Sequence, residues 1–543
     1  MSENSPPRPG GGREGGGRDR TDDPRPHPHA ARGYDWVGDL AGRRATLSPD
    51  RVAVKDAVSG ETHTYADLEE RANRTARYLR ERGVETGDRV AVVSRNRIEL
   101  LDLFLATGKI GAVLAPLSHR LAERELAAVF GDVDPTLLLV ETPFVGDAID
   151  AIERADAEPA VRSIPSDGDN EWTPYTEELP DDGSPVDRPE VALADPHLFL
   201  HTGGSTGVPK ETVISHGAIQ WNSFNTITAW GLREDDVTPL LFPMFHTGGW
   251  NVLTVPFLQM GGTLLIAPEV DPGRVLRNVE REGATVLVGV PAVLRMMANH
   301  DDWGETDLST LRFVKSGGGP CREAVIAEWR DRGIEFSQGY GLTECGPNNF
   351  AMPDDFPPEK TDSVGVPALG VDARVVDDRG EPVGLGEIGE LELAGPAAGD
   401  RYWNNESETR ETFGDWVSTG DLARVDEDGY YHIEGRKKNM FVSGGENVYP
   451  PQVEDAVADH PKVEEVIVIG VPDEKWGTVG KAVVQGDESL TLAELESHLA
   501  SRVARYAVPK ALAFVDEMPT SGPSKIDRSA IADRFGADGE GGE

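Results

Sequence analysis

The chain has 543 residues, 38% of them hydrophobic, and a formal net charge of -42. That length can bury a core without disulfide or metal staples, and two cysteines, Cys321 and Cys345, make neither a disulfide framework nor a zinc knuckle. The charge argues against nucleic acid as the main partner, because a phosphate backbone would be repelled.

The acid is dispersed along the whole chain, and only 12 of the 53 basic residues are lysine. This composition reads as adaptation to concentrated salt, where cations screen self-repulsion. No apolar run reaches the length of a membrane span, since "NVLTVPFLQMGGTLLIAP" is broken by Pro, Gln and a Gly pair. The two thiols are expected to stay reduced, and a cytoplasmic location is expected.

Residues 1–33 read as a disordered Gly/Pro/Arg arm without the apolar core of a secretory signal. Order is expected from Tyr34. "TYADLEERANRTARYLRERG" predicts a helix with Thr64 as N-cap and Asp67 three residues on; Leu68, Ala72, Ala76 and Leu79 share one face, and Gly83 ends it. "RVAVVSR" reads as a strand, followed by an apolar helix from Ile98. From Thr238 to Gly341 strands and helices alternate: "TPLLFPM", a helix from Gly249, "GTLLIAP", "DPGRVLRNVEREG", "TVLVGV", a helix from Pro291, "LRFVKSGG", a helix from Arg322 and "IEFSQGYG". The alternation predicts parallel sheet with helical crossovers, hence an α/β fold.

After about Asp362 short strands take over, with "DEDG" (Asp426–Gly429) as a hairpin turn. Beyond Arg436 the pattern is mixed again, placing a boundary at Arg436–Asn439. The expected organisation is an arm (1–33), a large domain (34–436), a small domain (437–535) and an acidic tail (536–543).

The stretch "LFLHTGGSTGVPK" turns an apolar strand into a Gly/Ser/Thr loop ending in lysine. Small residues let backbone N–H groups converge on an anion, so the loop is built for phosphate. It is not a Walker loop, because Pro209 keeps the backbone before it out of the α region and Glu211 follows Lys210. It resembles the phosphate loop of the adenylate-forming superfamily, in which Thr202, Gly203, Gly204, Ser205, Thr206, Gly207, Pro209 and Lys210 fit and Glu211 stands in place of the usual glycine.

Five further segments in the same order carry the resemblance. "PMFHTGGW" matches the segment whose histidine, here His246, lies at the carboxylate and adenylate site. "KSGGGP" matches the turn beside adenine and acyl group, here Gly317, Gly318, Gly319 and Pro320. "GYGLTE" supplies Gly339, Tyr340, Gly341 and Leu342 around adenine, Thr343 for the α-phosphate and Glu344 for Mg²⁺. "STGDLARVDEDGYYHIEGRKKNMFVSGGENVYPPQVE" supplies Asp421 and Arg436 for the ribose, Lys438 at the hinge, and Gly444 and Gly445 for the pantetheine tunnel. "MPTSGPSKIDR" resembles the segment bearing the catalytic lysine, here Lys525, with Ser524 replacing the family's glycine; Asn439 likewise replaces an aspartate.

The resemblance implies a large domain of mixed, mainly parallel sheets with helices and a small β-barrel-like subdomain, plus a small mobile α+β domain. It implies ATP, Mg²⁺ and coenzyme A as cofactors, and adenylation of a carboxylic acid followed by transfer to a thiol. The acyl pocket is expected near Trp250, Val290, Gly319 and Cys345, where no charged residue stands out. A medium- or long-chain fatty acid is the favoured substrate and an aromatic acid comes next. Loading of a separate carrier protein and a catalytically silent ATP-binding relative are the alternatives; a homodimer is left open.

Overall fold

The computed structural model describes residues 32–166, 172–202, 210–473, 475–500, 502–521 and 525–536. The arm up to residue 31, the loop residues Gly203–Pro209, Ser524 and the tail from 537 lie outside them, as does the side chain of Lys525.

The first helix shows how local sequence sets the frame. Thr64 caps Tyr65–Glu81 through a reciprocal capping box with Asp67, and Leu68, Ala72, Ala76 and Leu79 are all buried. This helix and Ile98–Ile110 cover one face of a seven-stranded sheet, while Glu123–Val133 and Val145–Ala155 cover the other. The sheet runs Arg401–Tyr402, Lys210–Ser215, Pro196–Thr202, Val113–Leu117, Arg89–Val93, Leu137–Glu141, Ala160–Ile164. From Pro196–Thr202 onward its strands are parallel; the first two join antiparallel. Burial on both faces explains the unbroken apolar runs of "RVAVV" and "LLLVE".

Two smaller parallel groups follow. Val237–Pro239, Thr263–Ile266 and Val52–Asp56 form one, with Thr62–Thr64 antiparallel at its edge; Val286–Gly289, Phe313–Ser316 and Glu335–Gln338 form the other. The strand expected through Met244 stops at Pro239, since Pro239 and Pro243 lack the N–H a ladder needs. The helix expected from Gly249 is a π-turn, Gly248–Val252, before the α-helix Thr254–Met260.

The strands after Asp362 include a linear four-stranded antiparallel sheet: Asp372–Val376, Gly389–Ala394, Val417–Val425, Tyr431–Arg436. At "DEDG" Asp426 Oδ1 accepts from the backbone N–H of Asp428 and Tyr430, and Gly429 supplies φ +87°. The small C-terminal domain packs helices Pro450–Ala458 and Leu492–Leu499 on one side of the sheet Val463–Asp473, Gly477–Gly486, Ala511–Phe514. It meets the large domain through Glu465, which accepts from Arg322 Nη2 at 2.5 Å and Arg295 Nη1 at 3.0 Å, and through the Glu464 carbonyl, which accepts from Arg322 Nη1 at 3.0 Å.

Candidate active site

The phosphate loop is the connection of a hairpin, with Thr202 and Lys210 paired across its base. Alternation along Lys210–Ser215 sends Lys210 and Glu211 to opposite faces. Lys210 pairs its ammonium with Glu408 and sits 5.0 Å over the Tyr402 ring. Burial lowers its pKa against the pull of Glu344, and Lys438 lowers it further.

Glu211 turns inward and is 1% exposed, its carboxyl without a hydrogen-bond partner among the described residues and pushed up to about 8 by burial, with Asp132 adding to the shift. Its cross-strand partner His201 is also buried, which drives that imidazole down to about 4. The departure from glycine therefore places its carboxyl on the face of the sheet opposite Lys210.

Glu344 lies in the short 3₁₀ turn Thr343–Cys345, and its Oε1 accepts a 2.7 Å hydrogen bond from Tyr402 Oη. Four residues earlier, Tyr340 Oη donates to Asp421 Oδ2 at 2.5 Å, and Arg436 Nε meets Asp421 Oδ1 at 2.7 Å. Asp421 and Arg436 are direct cross-strand partners, which fixes that pair by register. Burial, then the Asp421 carboxylate, pushes the Tyr340 phenol's pKa up, so it stays a donor. Two chain segments thus join the two clusters: Tyr340 to Glu344, and Arg436 to Lys438.

The glycine turns meet beside them. Gly339 N donates to the Ser316 carbonyl at 2.7 Å, and Gly317 N to the Gly289 carbonyl at 3.1 Å. Gly318 adopts φ +83°, with Val290 Cγ1 3.5 Å from where a Cβ would stand. Gly319 and Pro320 continue the turn; a Cβ on Gly341 would collide with the Pro347 backbone at 2.1 Å.

His246 is half-buried, its ring 5.7 Å from His201 and 4.5 Å from Phe245. Trp250, expected to line the acyl pocket, is 0% exposed. It stacks on Phe104 at 5.0 Å and donates its indole N–H to the Met244 carbonyl, so it backs the region from within the core. Cys345 is buried too, and burial pushes its thiol well up. Leu342 belongs to the apolar cluster around Phe350.

On the small domain, Gly444 and Gly445 (φ +60° and +92°) turn the hairpin Phe441–Ser443/Glu446–Val448, and Trp476 packs on Gly444. Lys438 is exposed in the 3₁₀ turn Lys437–Asn439. The Lys525 backbone pairs with Ser521.

Sequence reasoning missed three contributors. Tyr402 and Glu408 reach the site through strand pairing and a short helix, and Lys315 is a buried lysine two residues before Gly317. Lys315 donates to Ser337 Oγ at 2.7 Å and lies 5.2 Å over the Trp230 ring, with burial lowering its pKa to about 8.

A doubly covered parallel sheet, an antiparallel lobe and a small docked domain carry these side-chain clusters. The profile of the AMP-binding enzyme family matches residues 42–403, and that of its C-terminal domain matches 452–525. The chain belongs to this family, within the adenylate-forming superfamily.

It is 38% identical over 503 residues to feruloyl-CoA synthase of Amycolatopsis sp, covering 92% of this chain and 99% of that relative. It is 33% identical over 507 residues to long-chain-fatty-acid–CoA ligase FadD13 of Mycobacterium tuberculosis, again covering 92% and 99%. Among solved structures, ATP-bound MatB from Rhodopseudomonas palustris superposes with a TM-score of 0.84 at 30% identity, covering 92% and 99%. The chain is an AMP-forming acid–thiol ligase in class, using ATP, Mg²⁺ and coenzyme A.

The residues fit Mg²⁺. Among the described residues no group of three or more His, Cys, Asp or Glu could cage a metal. A single oriented carboxylate beside phosphate-binding groups is what Mg²⁺ uses when substrate phosphates and water supply its other ligands. No helix among the described residues is long and apolar enough to cross a membrane.

Proposed function

We propose that the protein activates an aromatic carboxylic acid as its acyl adenylate and transfers the acyl group to coenzyme A. The carrying observation is the continuity of Tyr340–Asp421–Arg436 with Glu344, Tyr402 and Lys210: a ribose and adenine seat beside a phosphate seat.

In the first step a carboxylate oxygen attacks the α-phosphorus of ATP and pyrophosphate leaves. Asp421 and Arg436 hold the ribose hydroxyls, Tyr340 and the Gly317–Gly319 turn flank adenine, and Thr343 contacts the α-phosphate. Lys210, the loop before it and the Lys525 ammonium neutralise the charge that develops on the departing phosphates. Mg²⁺ held on Glu344 would supply Lewis-acid charge there. In the second step a thiol sulfur attacks the acyl carbon and AMP leaves. The small domain turns about Lys438 and brings the Gly444–Gly445 turn to the cleft, with 34–436 and 437–535 as the two bodies.

Lys315 is the ground for an aromatic acid over the fatty acid that the sequence favoured. A buried ammonium beside the Gly317 turn, whose contacts among the described residues are the Ser337 hydroxyl and the Trp230 and Phe313 ring faces, suits an acid bearing a polar group at its far end better than an alkyl chain. The likeness to feruloyl-CoA synthase supports the same reading. The dispersed charge of -42 supports work in concentrated salt.

Thioester formation across hydroxylated aryl acids, unsubstituted aryl acids and C6–C16 fatty acids tests the assignment. Highest kcat/KM on a hydroxylated aryl acid, falling selectively in Lys315→Leu, supports it; highest kcat/KM on a fatty acid overturns it.

A further inference from the structure

Tyr402 belongs to none of the sequence segments that carry the resemblance, yet one side chain makes both contacts that join the phosphate seat. It stands on the two-residue strand Arg401–Tyr402, which pairs with Thr212–Val213 at the outer edge of the seven-stranded sheet. That register puts it beside the strand that begins at Lys210. Its backbone N–H donates to Thr409 Oγ1 at 3.0 Å, its ring meets Phe413 edge-on at 5.1 Å, and it is 6% exposed. The ring is therefore fixed before any ligand arrives.

From that fixed position the hydroxyl reaches Glu344 Oε1 at 2.7 Å, while the ring face lies 5.0 Å below the Lys210 ammonium. Gly399 N holds the Glu344 carbonyl at 2.8 Å, so the same stretch of chain grips both the backbone and the side chain of that residue. Donation to Oε1 selects one carboxylate orientation and leaves Oε2 to turn toward a cation.

We propose that Tyr402 is a positioning residue that presets Glu344 for Mg²⁺ through its hydroxyl and steadies Lys210 through its ring. The proposal rests on the adenylating reading of the site. It separates the two contacts: the hydroxyl serves the metal, and the ring serves the loop lysine.

The test uses the full chain and calorimetric titration of ATP, once with Mg²⁺ and once with EDTA, on wild type, Tyr402→Phe and Tyr402→Leu. Thermal melts alongside report folding. Tyr402→Phe keeps the ring, so ATP affinity in EDTA stays at the wild-type value. The gain on adding Mg²⁺ falls about tenfold, the size of a lost hydrogen bond to a charged group. The Mg²⁺ concentration for half-maximal pyrophosphate exchange rises by a similar factor, with kcat recovered at saturating Mg²⁺. Tyr402→Leu lowers affinity in both conditions. Equal loss with and without Mg²⁺ in Tyr402→Phe, or an unchanged Mg²⁺ requirement, overturns the proposal while leaving the adenylating reading intact. A wild-type protein that shows no acid-dependent pyrophosphate exchange at any Mg²⁺ concentration overturns both.

Discussion

Glu211→Gln isolates the energetic effect of one buried carboxyl. Among the described residues the Glu211 carboxyl has no hydrogen-bond partner, and its pKa rises from 4.5 to about 8, burial being the main cause and Asp132 the second. The groups facing it are His201, neutral above about pH 4 and so carrying no compensating charge, and Asp132, itself raised by burial. A folded-state pKa above the unfolded value means that the folded state holds its proton more tightly. The contribution is complete below about pH 4.5 and is lost as pH climbs through about 8. At about 1.4 kcal/mol per pH unit, wild type loses about 4 kcal/mol between pH 5 and pH 9 through this group alone. Gln cannot ionise, so its pH–stability curve lacks that slope. Its amide is unpartnered as well, costing about 1–3 kcal/mol at every pH. Urea unfolding of wild type and Glu211→Gln at half-unit intervals from pH 5 to 9 checks this. The two curves diverge by about 4 kcal/mol in favour of Gln at the alkaline end. Parallel curves would refute the reasoning and would mean that Glu211 ionises with a partner or water beside it.

Three further outcomes are expected. Asp421→Asn removes the charge that Arg436 and Tyr340 both meet, so the KM for ATP rises about tenfold or more, read from pyrophosphate-exchange kinetics. Glu465→Gln weakens the contact of the small domain with Arg295 and Arg322, and limited proteolysis at Lys437–Asn439 becomes faster while melting changes by less than about 1 kcal/mol in stability. Gly249→Ala forces a Cβ to within 2.2 Å of the Pro243 carbonyl oxygen, so the π-turn beside His246 must open; stability falls by about 2 kcal/mol or more in a urea melt, whereas Gly319→Ala, whose Cβ meets open space, leaves it unchanged.

Most of the frame was legible because local rules and burial agreed. The Thr64 capping box and the Leu68/Ala72/Ala76/Leu79 stripe predict one helix and the face it buries, and both appear. "TPLLFPM" misled because apolar content looked like a strand while two prolines withheld its hydrogen bonds. At the site, motif residues such as Tyr340, Asp421 and Arg436 could be placed by resemblance, and the structure adds the register that joins the last two. The inward turn of Glu211 was implicit in strand alternation after Lys210. Tyr402, Glu408 and Lys315 were not legible. Their roles depend on partners distant in sequence, and no spacing rule links Arg401–Tyr402 to Thr212 or Lys315 to Trp230. Trp250 shows the converse: a large aromatic beside a site motif filled the core instead of a pocket wall.

The central claim, adenylation of a carboxylic acid in this cleft, is tested most directly by acid-dependent ATP–pyrophosphate exchange in molar KCl, with Lys525→Ala alongside wild type. Exchange driven by an aryl acid and lost in Lys525→Ala is the predicted result. No exchange with any aryl, aliphatic or amino acid, from folded protein that binds ATP, would contradict it and leave an ATP-binding protein without ligase chemistry.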